Sequence, residues 1–164
     1  MNNTLYNATY FGRSKKFQKN NNRLEELVNI IKSYNPNRVL DVGCGIGFLV
    51  RKLRSLGIEA CGTDFAEDLK KFYWGDAPYF LLADAKHQPF LDKEFDLVIS
   101  TDFFEHIPEQ DIDEIITEMQ RVGKKVITRP AYEAKLNDRQ AMYHVTNKPK
   151  EWWENKFNGR VTII

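Results

Sequence analysis

Apolar residues along this chain fall into two patterns that alternate: a stripe at helical spacing and a short unbroken run. Leu24, Leu27, Val28 and Ile31 recur every three or four residues, which predicts an amphipathic helix over residues 23–34. Asn35-Pro36-Asn37 ends it, and Arg38 to Val42 reads as a strand. Leu49, Val50, Leu53 and Leu56 then mark one face of a second helix, stopped by Gly57. A strand over residues 58–64 follows, then a helix over 66–74 with Leu69, Phe72 and Tyr73 facing inward, then a strand from Tyr79 to Ala83. Phe95 to Ser100 is apolar enough to be buried on both faces of a sheet. Ile112, Ile115, Ile116, Met119 and Val122 give the clearest amphipathic helix, from Glu109 to Val122. Lys125 to Thr128 reads as a fifth strand, residues 148–157 as a helix, and Val161 to Ile164 as a last short strand. In the last helix, Trp152, Trp153 and Phe157 read as core-facing, although one of two adjacent tryptophans must point away.

Strands that alternate with helices predict an α/β fold, a mainly parallel sheet between two helical layers. Such sheets bind ligands beyond the C-terminal ends of their strands, near the point where strand order reverses. The 164 residues suit a single domain spanning 1–164, with a polar, Asn-rich N-terminal arm over residues 1–22. The irregular stretch 130–147 is long for a connection and reads as a lid or binding loop.

Charge and cysteine content narrow the partners. Twenty-four Lys and Arg offset twenty-three Asp and Glu, and a net charge of +1 creates no field to draw nucleic acid or an anionic membrane. Arg13, Lys15, Lys16, Lys19 and Arg23 read as a solvated basic arm, with a grip on phosphates as the alternative. No apolar run approaches the roughly 18 residues of a membrane span, and the first residues lack the apolar core of a signal peptide. Cys44 and Cys61 sit in neither a CxxC nor a metal-ligand spacing. These features predict a cytoplasmic protein acting on small molecules.

The candidate chemistry begins at VLDVGCGIGFL, Val39 to Leu49, where a strand ends in a Gly-rich turn that opens a helix. Glycine permits positive φ and close approach of the backbone to a ligand, and amides at a helix start favour a negative group. A strand-to-helix turn with no ligand would look the same, so the surrounding acids matter. Asp64 ends the second strand, 21 residues after Gly43, where a carboxylate can accept from ribose hydroxyls. Asp84 closes the third strand, where it can accept from an adenine amine. Asp41 stands just before the glycines; it would repel a pyrophosphate but suits an α-amino group, which disfavours a dinucleotide oxidoreductase. Singly, Asp64 also suits a helix N-cap and Asp84 a turn.

DVGCGIG, GTDFA, LLADAKHQPF and FDLVISTDFFEHIP, in this order and spacing, resemble the class I S-adenosylmethionine-dependent methyltransferases over roughly Tyr6 to Phe157. The resemblance implies a Rossmann-like three-layer sandwich and S-adenosylmethionine as methyl donor, with S-adenosylhomocysteine as product. It places Asp41, Gly43, Cys44, Gly45 and Gly47 around the methionine part, and Asp64 on the ribose with Phe65 and Ala66 beside it. Asp84 and Ala85 would flank the adenine, and Thr101 and Asp102 would lie beside the sulfonium. Tyr6, Tyr10 and Phe11 resemble, more loosely, an N-terminal aromatic segment that closes over the cofactor.

Methyl transfer from a sulfonium is a displacement at carbon in which the protein supplies alignment. An amine needs only a neutral lone pair, whereas a hydroxyl needs its proton removed. The catalytic candidates are Glu105, His106 and His144; His106 equally suits a helix-end histidine bonded to backbone, and His144 a surface loop. His87 reads as structural or solvated. Asp102, Glu105, His106 and His144 resemble the metal-ligand set of some O-methyltransferases, but those carry Glu where this chain has Asp102, so no metal is assigned. The expected activity is methyl transfer, at oxygen, to a small molecule or saccharide. The alternatives are a non-catalytic binding or scaffold protein and an RNA methyltransferase. The family continues into two more strands after the fifth, so this chain reads as C-terminally shortened. Val161-Thr162-Ile163-Ile164 would then be an edge open to a partner or a second copy.

Overall fold

The computed structural model describes residues 6–7, 10–11, 21–132 and 143–164. Helix α1 (Asn21–Ser33) leads to strand β1 (Arg38–Val42), helix α2 (Phe48–Ser55) and strand β2 (Glu59–Asp64). A single α-turn, Glu67–Leu69, continues as a π-turn, Lys70–Trp74, before strand β3 (Phe80–Leu82). Strand β4 (Phe95–Thr101) is followed by two 3-10 turns, Phe104–His106 and Glu109–Asp111, and helix α3 (Ile112–Val122). Strand β5 (Gly123–Arg129), helix α4 (Lys150–Phe157) and strand β6 (Thr162–Ile163) complete the order.

The six strands form one sheet in the order β3-β2-β1-β4-β5-β6, with every neighbouring pair parallel. Alternation along each strand divides the core in two. Val39 of β1 with Leu97 and Ile99 of β4 join Leu27, Val28, Ile31 and Leu53 from α1 and α2. Leu40, Val42 and Val98 point the other way, to Ile112, Ile115, Ile116 and Met119 of α3 and Trp153 and Phe157 of α4. The predicted α/β three-layer architecture is therefore the observed one. The winding reverses between β1 and β4, so the C-terminal ends of β2, β1, β4 and β5 surround one crevice.

Three expectations change. Phe72 is exposed and Trp74 is buried in its place. The π-turn, closed by the Gly75 N–H on the Lys70 carbonyl at 3.2 Å, inserts a residue and rotates the face that a regular helix would bury. Leu56 is also exposed, because α2 stops at Ser55 and Leu56 sits at its C-cap. Trp152 lies partly exposed beneath the Lys148 ammonium, outside the crevice, while Trp153 takes the core position. At the sheet's outer edge, β6 pairs with β5 only through Ile127 and Thr128. Among the described residues, no helix is long and apolar enough to cross a membrane.

Candidate active site

A cavity of about 960 Å³ opens beyond the C-terminal strand ends, and most of the predicted site residues meet there. Asp41, Gly43, Cys44, Gly45, Asp64, Phe65, Asp84, Ala85, Thr101 and Asp102 line it, together with Glu105, His106 and His144. Gly47 and Ala66 do not. Gly47 has a φ of +81°, and a Cβ there would lie 2.1 Å from Phe80 Cζ, so this glycine admits a protein ring and not a ligand. Gly43 also has a φ of +74° and a Cβ there would lie 2.3 Å from Phe103 Cδ2, but both Gly43 and Phe103 line the cavity. Ala66 is fully buried, and its N–H donates to Asp64 Oδ1 at 3.1 Å.

The loop amides are also employed differently from expectation. Gly43 and Cys44 donate to the Thr63 carbonyl at 2.8 and 3.0 Å, Gly45 to Asp64 Oδ2 at 3.1 Å, and Gly47 to the Cys44 carbonyl at 3.0 Å. These four N–H groups stitch the loop to β2 and to itself, so they offer nothing to an anion. Trp74 fixes the loop from below, its Nε1–H donating to the Gly45 carbonyl at 2.9 Å.

Carboxylates dominate this end of the cavity. Burial pushes Asp41 up to about 7, and the Asp64 charge adds to the effect. Burial lifts Asp64 to about 6 against the hydrogen bonds from Ala66, Gly45 and Phe65 that favour its ionised form. Both acids carry buried negative charge when ionised, and a cationic group such as an α-ammonium or a sulfonium in this end of the cavity would favour that form. Asp84 combines both sequence readings: its Oδ1 accepts from the Lys86 N–H at 2.9 Å, making a turn, and it still lines the cavity. Beside it, Gln88 is buried and bonded to Thr63 Oγ1 at 2.9 Å and to the Asp84 carbonyl at 3.0 Å.

Family membership follows from the residues that build this end. Residues 40–126, more than half the chain, match the methyltransferase-domain family model. The chain belongs to the class I methyltransferase-domain family, whose members use S-adenosylmethionine. An uncharacterized methyltransferase of Geobacillus sp. (strain WCH70) is 24% identical over 89% of this chain and 70% of its own length. Norajmaline N-methyltransferase of Rauvolfia serpentina is 33% identical over 56% of this chain and 34% of its own length. The chain thus spans about a third of some curated relatives and most of others. In fold, it superposes on an Archaeoglobus fulgidus S-adenosylmethionine-dependent methyltransferase with a TM-score of 0.67 at 22% identity, covering 92% of this chain and 73% of that one.

The opposite side of this methyltransferase cavity includes the turn after β4, the end of β5 and the chain around residue 143. Glu105 is 1% exposed; its Oε2 has no hydrogen-bond partner among the described residues, and burial pushes its carboxyl up to about 7. His106 Nδ1 lies 2.9 Å from the Tyr143 carbonyl, with the Tyr6 hydroxyl at 3.2 Å. A carbonyl only accepts, so Nδ1 carries the proton and the Nε2 lone pair is left available. Burial holds His106 down to about 4, hence neutral. His144 packs edge-on against it, with ring centroids 4.9 Å apart. Ligand-capable atoms of Glu105, His106 and His144 all lie within 4.8 Å of one another. Asp102 is not part of that group: it has a φ of +50° and its Oδ1 meets Arg23 Nη2 at 2.5 Å.

Sequence reasoning missed several wall residues. Arg23, read as part of a solvated arm, sits in the first turns of α1, which bring it over the sheet to Asp102. Arg129, at the end of β5, had no local motif to mark it, and Phe103 lies within the FDLVISTDFFEHIP motif without having been singled out. Of the predicted lid, residues 133–142 lie outside the described residues, as do most of the arm and its other basic residues; Ala131, Tyr143 and His144 do reach the cavity. Tyr6, Tyr10 and Phe11 also line it.

Proposed function

We propose that this domain transfers a methyl group from S-adenosylmethionine to a hydroxyl oxygen of a small molecule or saccharide. The observation that carries this reading is a buried carboxylate with an oxygen left unpartnered among the described residues, Glu105, beside a neutral imidazole, His106, in the cavity that also holds Asp41 and Asp64. Asp64 would accept from the ribose hydroxyls, Asp84 from the adenine amine, and Asp41 would face the ammonium. The bound donor supplies an electrophilic methyl group. A hydroxyl acceptor must lose its proton as its oxygen attacks, and a base titrating near 7 is well matched to that task. Glu105 is therefore the proton acceptor, taking the hydroxyl's one proton as the oxygen attacks the methyl carbon, while the neutral rings of His106 and His144 wall the acceptor's position beside it. An amine acceptor, as the name of the Rauvolfia relative implies for that enzyme, would not need this pair.

The clustering of Glu105, His106 and His144 within 4.8 Å favours one second reading, in which the three hold a divalent cation that polarises the hydroxyl. Transfer of labelled methyl groups to a panel of phenols, sugars and amines tests both. Glu105→Gln and His106→Ala are expected to lower turnover at least a hundredfold with S-adenosylhomocysteine affinity kept. Labelling confined to amines, or unchanged turnover in both variants, contradicts the oxygen reading. Loss of wild-type activity in EDTA, restored by Mn²⁺, selects the second reading.

A further inference from the structure

Arg129 is the last residue of β5, and its side chain stands in the cavity wall at 17% exposure. Its Nε is buried and has no hydrogen-bond partner among the described residues. Its ion pair is long, Nη1 to Glu26 Oε2 at 3.8 Å, and Glu26 is 65% exposed. Burial, then the neighbouring Arg23, lower the Arg129 guanidinium from its usual range. A buried donor without an acceptor costs free energy in the folded protein, and native structures rarely keep one without a use.

The place of Arg129 in the sheet says what that use is. Across the order β2-β1-β4-β5, the strand ends present Asp64, Asp41, Asp102 and Arg129 in turn. Neighbouring strands lie about 4.8 Å apart, so Arg129 stands roughly 14 Å from the ribose-binding end. That is beyond the acids that suit the donor and on the same side as Glu105 and His106. Arg23 adds positive potential there, but its Nη2 is already held by Asp102. Arg129 is the cavity arginine with a buried donor left unpartnered among the described residues, and its planar fork matches an oxyanion in two-point contact.

We propose that Arg129 is a specificity residue that grips a carboxylate or phosphate group on the methyl acceptor, so that this domain acts on anionic small molecules. The proposal rests on the methyl-transfer reading and adds a substrate class to it. The test is titration of the protein saturated with S-adenosylhomocysteine, using sodium benzoate in one arm and inorganic phosphate in the other, by calorimetry and by NMR shifts. Wild type is expected to bind one of the two saturably, and which one identifies the anion. Arg129→Gln should weaken that binding at least tenfold, with Arg129→Lys in between because it keeps charge without the fork, while S-adenosylhomocysteine affinity stays within twofold. Should Arg129→Gln fail to fold, the wild-type-to-Lys difference carries the comparison. Absence of saturable binding by either anion, or equal binding in wild type and variants, overturns the proposal. So does a loss of S-adenosylhomocysteine affinity as large as the loss of anion binding, since the guanidinium would then be holding the donor's own carboxylate. If S-adenosylhomocysteine itself does not bind, the methyl-transfer reading fails, and the same titrations on the unliganded protein still decide whether Arg129 binds anions.

Discussion

Gly47→Ala puts one methyl group where the structure leaves no room for it. Gly47 holds a φ of +81° and a ψ of 29° at the N-cap of α2. A left-handed backbone costs an alanine about 1–2 kcal/mol. Its Cβ would also stand 2.1 Å from Phe80 Cζ and 2.4 Å from Cε1. Phe80 cannot simply step aside. It is stacked on Trp74 with centroids 5.1 Å apart, and the Arg51 guanidinium sits 4.8 Å from its ring centre. Overpacking of this kind costs about 1–3 kcal/mol, so the total is roughly 2–5 kcal/mol. For a chain of this size each kcal/mol moves Tm by about 2–4 °C, which gives a drop of roughly 4–20 °C. Because Trp74 holds the Gly45 carbonyl, any shift of the ring stack also disturbs the cavity loop, and S-adenosylhomocysteine affinity falls with stability. Urea unfolding and thermal melts of wild type, Gly47→Ala, Phe80→Ala and the double variant separate the two costs. In the Phe80→Ala background the clash disappears, so Gly47→Ala should cost only the backbone part, about 1–2 kcal/mol. Equal costs in both backgrounds, or a Tm within a degree of wild type, would refute the assignment of Gly47 to protein packing.

Two further outcomes concern the acids. Asp41 and Asp64 titrate near 7 and 6, above their unfolded values, so between about pH 4 and pH 7 the native state holds protons that the unfolded chain has released. Stability of the unliganded protein from this pair is therefore greatest below pH 4 and falls as pH rises through that window. A cationic ligand prefers the ionised pair, so the Tm increment given by S-adenosylmethionine should grow from pH 5 to pH 8; a flat or shrinking increment counts against a cation in this end of the cavity. Asp64→Asn should weaken S-adenosylhomocysteine binding by about 1.5–3 kcal/mol, the worth of hydrogen bonds to a charged group, or about tenfold to a hundredfold by calorimetry. Unchanged affinity would remove Asp64 from the ribose site.

What the sequence disclosed depended on whether a residue's partners were local. The strand-end positions of Asp41, Asp64 and Asp84 follow from the alternation of runs and stripes, because the end of a parallel strand is also the end of its apolar run. Gly43 and Gly47 were recognisable as turn glycines, but their motif does not say what approaches them. The answers, Phe103 and Phe80, come from β3 and the turn after β4, far along the chain. The same holds for the loop amides, whose acceptors on β2 cannot be read from a glycine motif. Phe72 misled because helical spacing assumes a regular turn, and the π-turn at Lys70–Trp74 leaves no mark in the hydrophobic pattern. Arg23 was hidden by composition: it ends a run of basic residues, yet a few positions of helix suffice to carry it over the sheet to Asp102. Arg129 carries no motif, and only the sheet order shows that the end of β5 borders the cavity.

The central claim is that acids at the ends of adjoining parallel strands hold a nucleoside joined to an amino acid. Calorimetric titration of the wild-type protein with S-adenosylhomocysteine, with adenosine and methionine as separate controls, tests it most directly. One site per chain is expected, micromolar or tighter, with each half alone binding far more weakly. Absence of saturable heat for the joined molecule, or equal affinity for adenosine by itself, would contradict it.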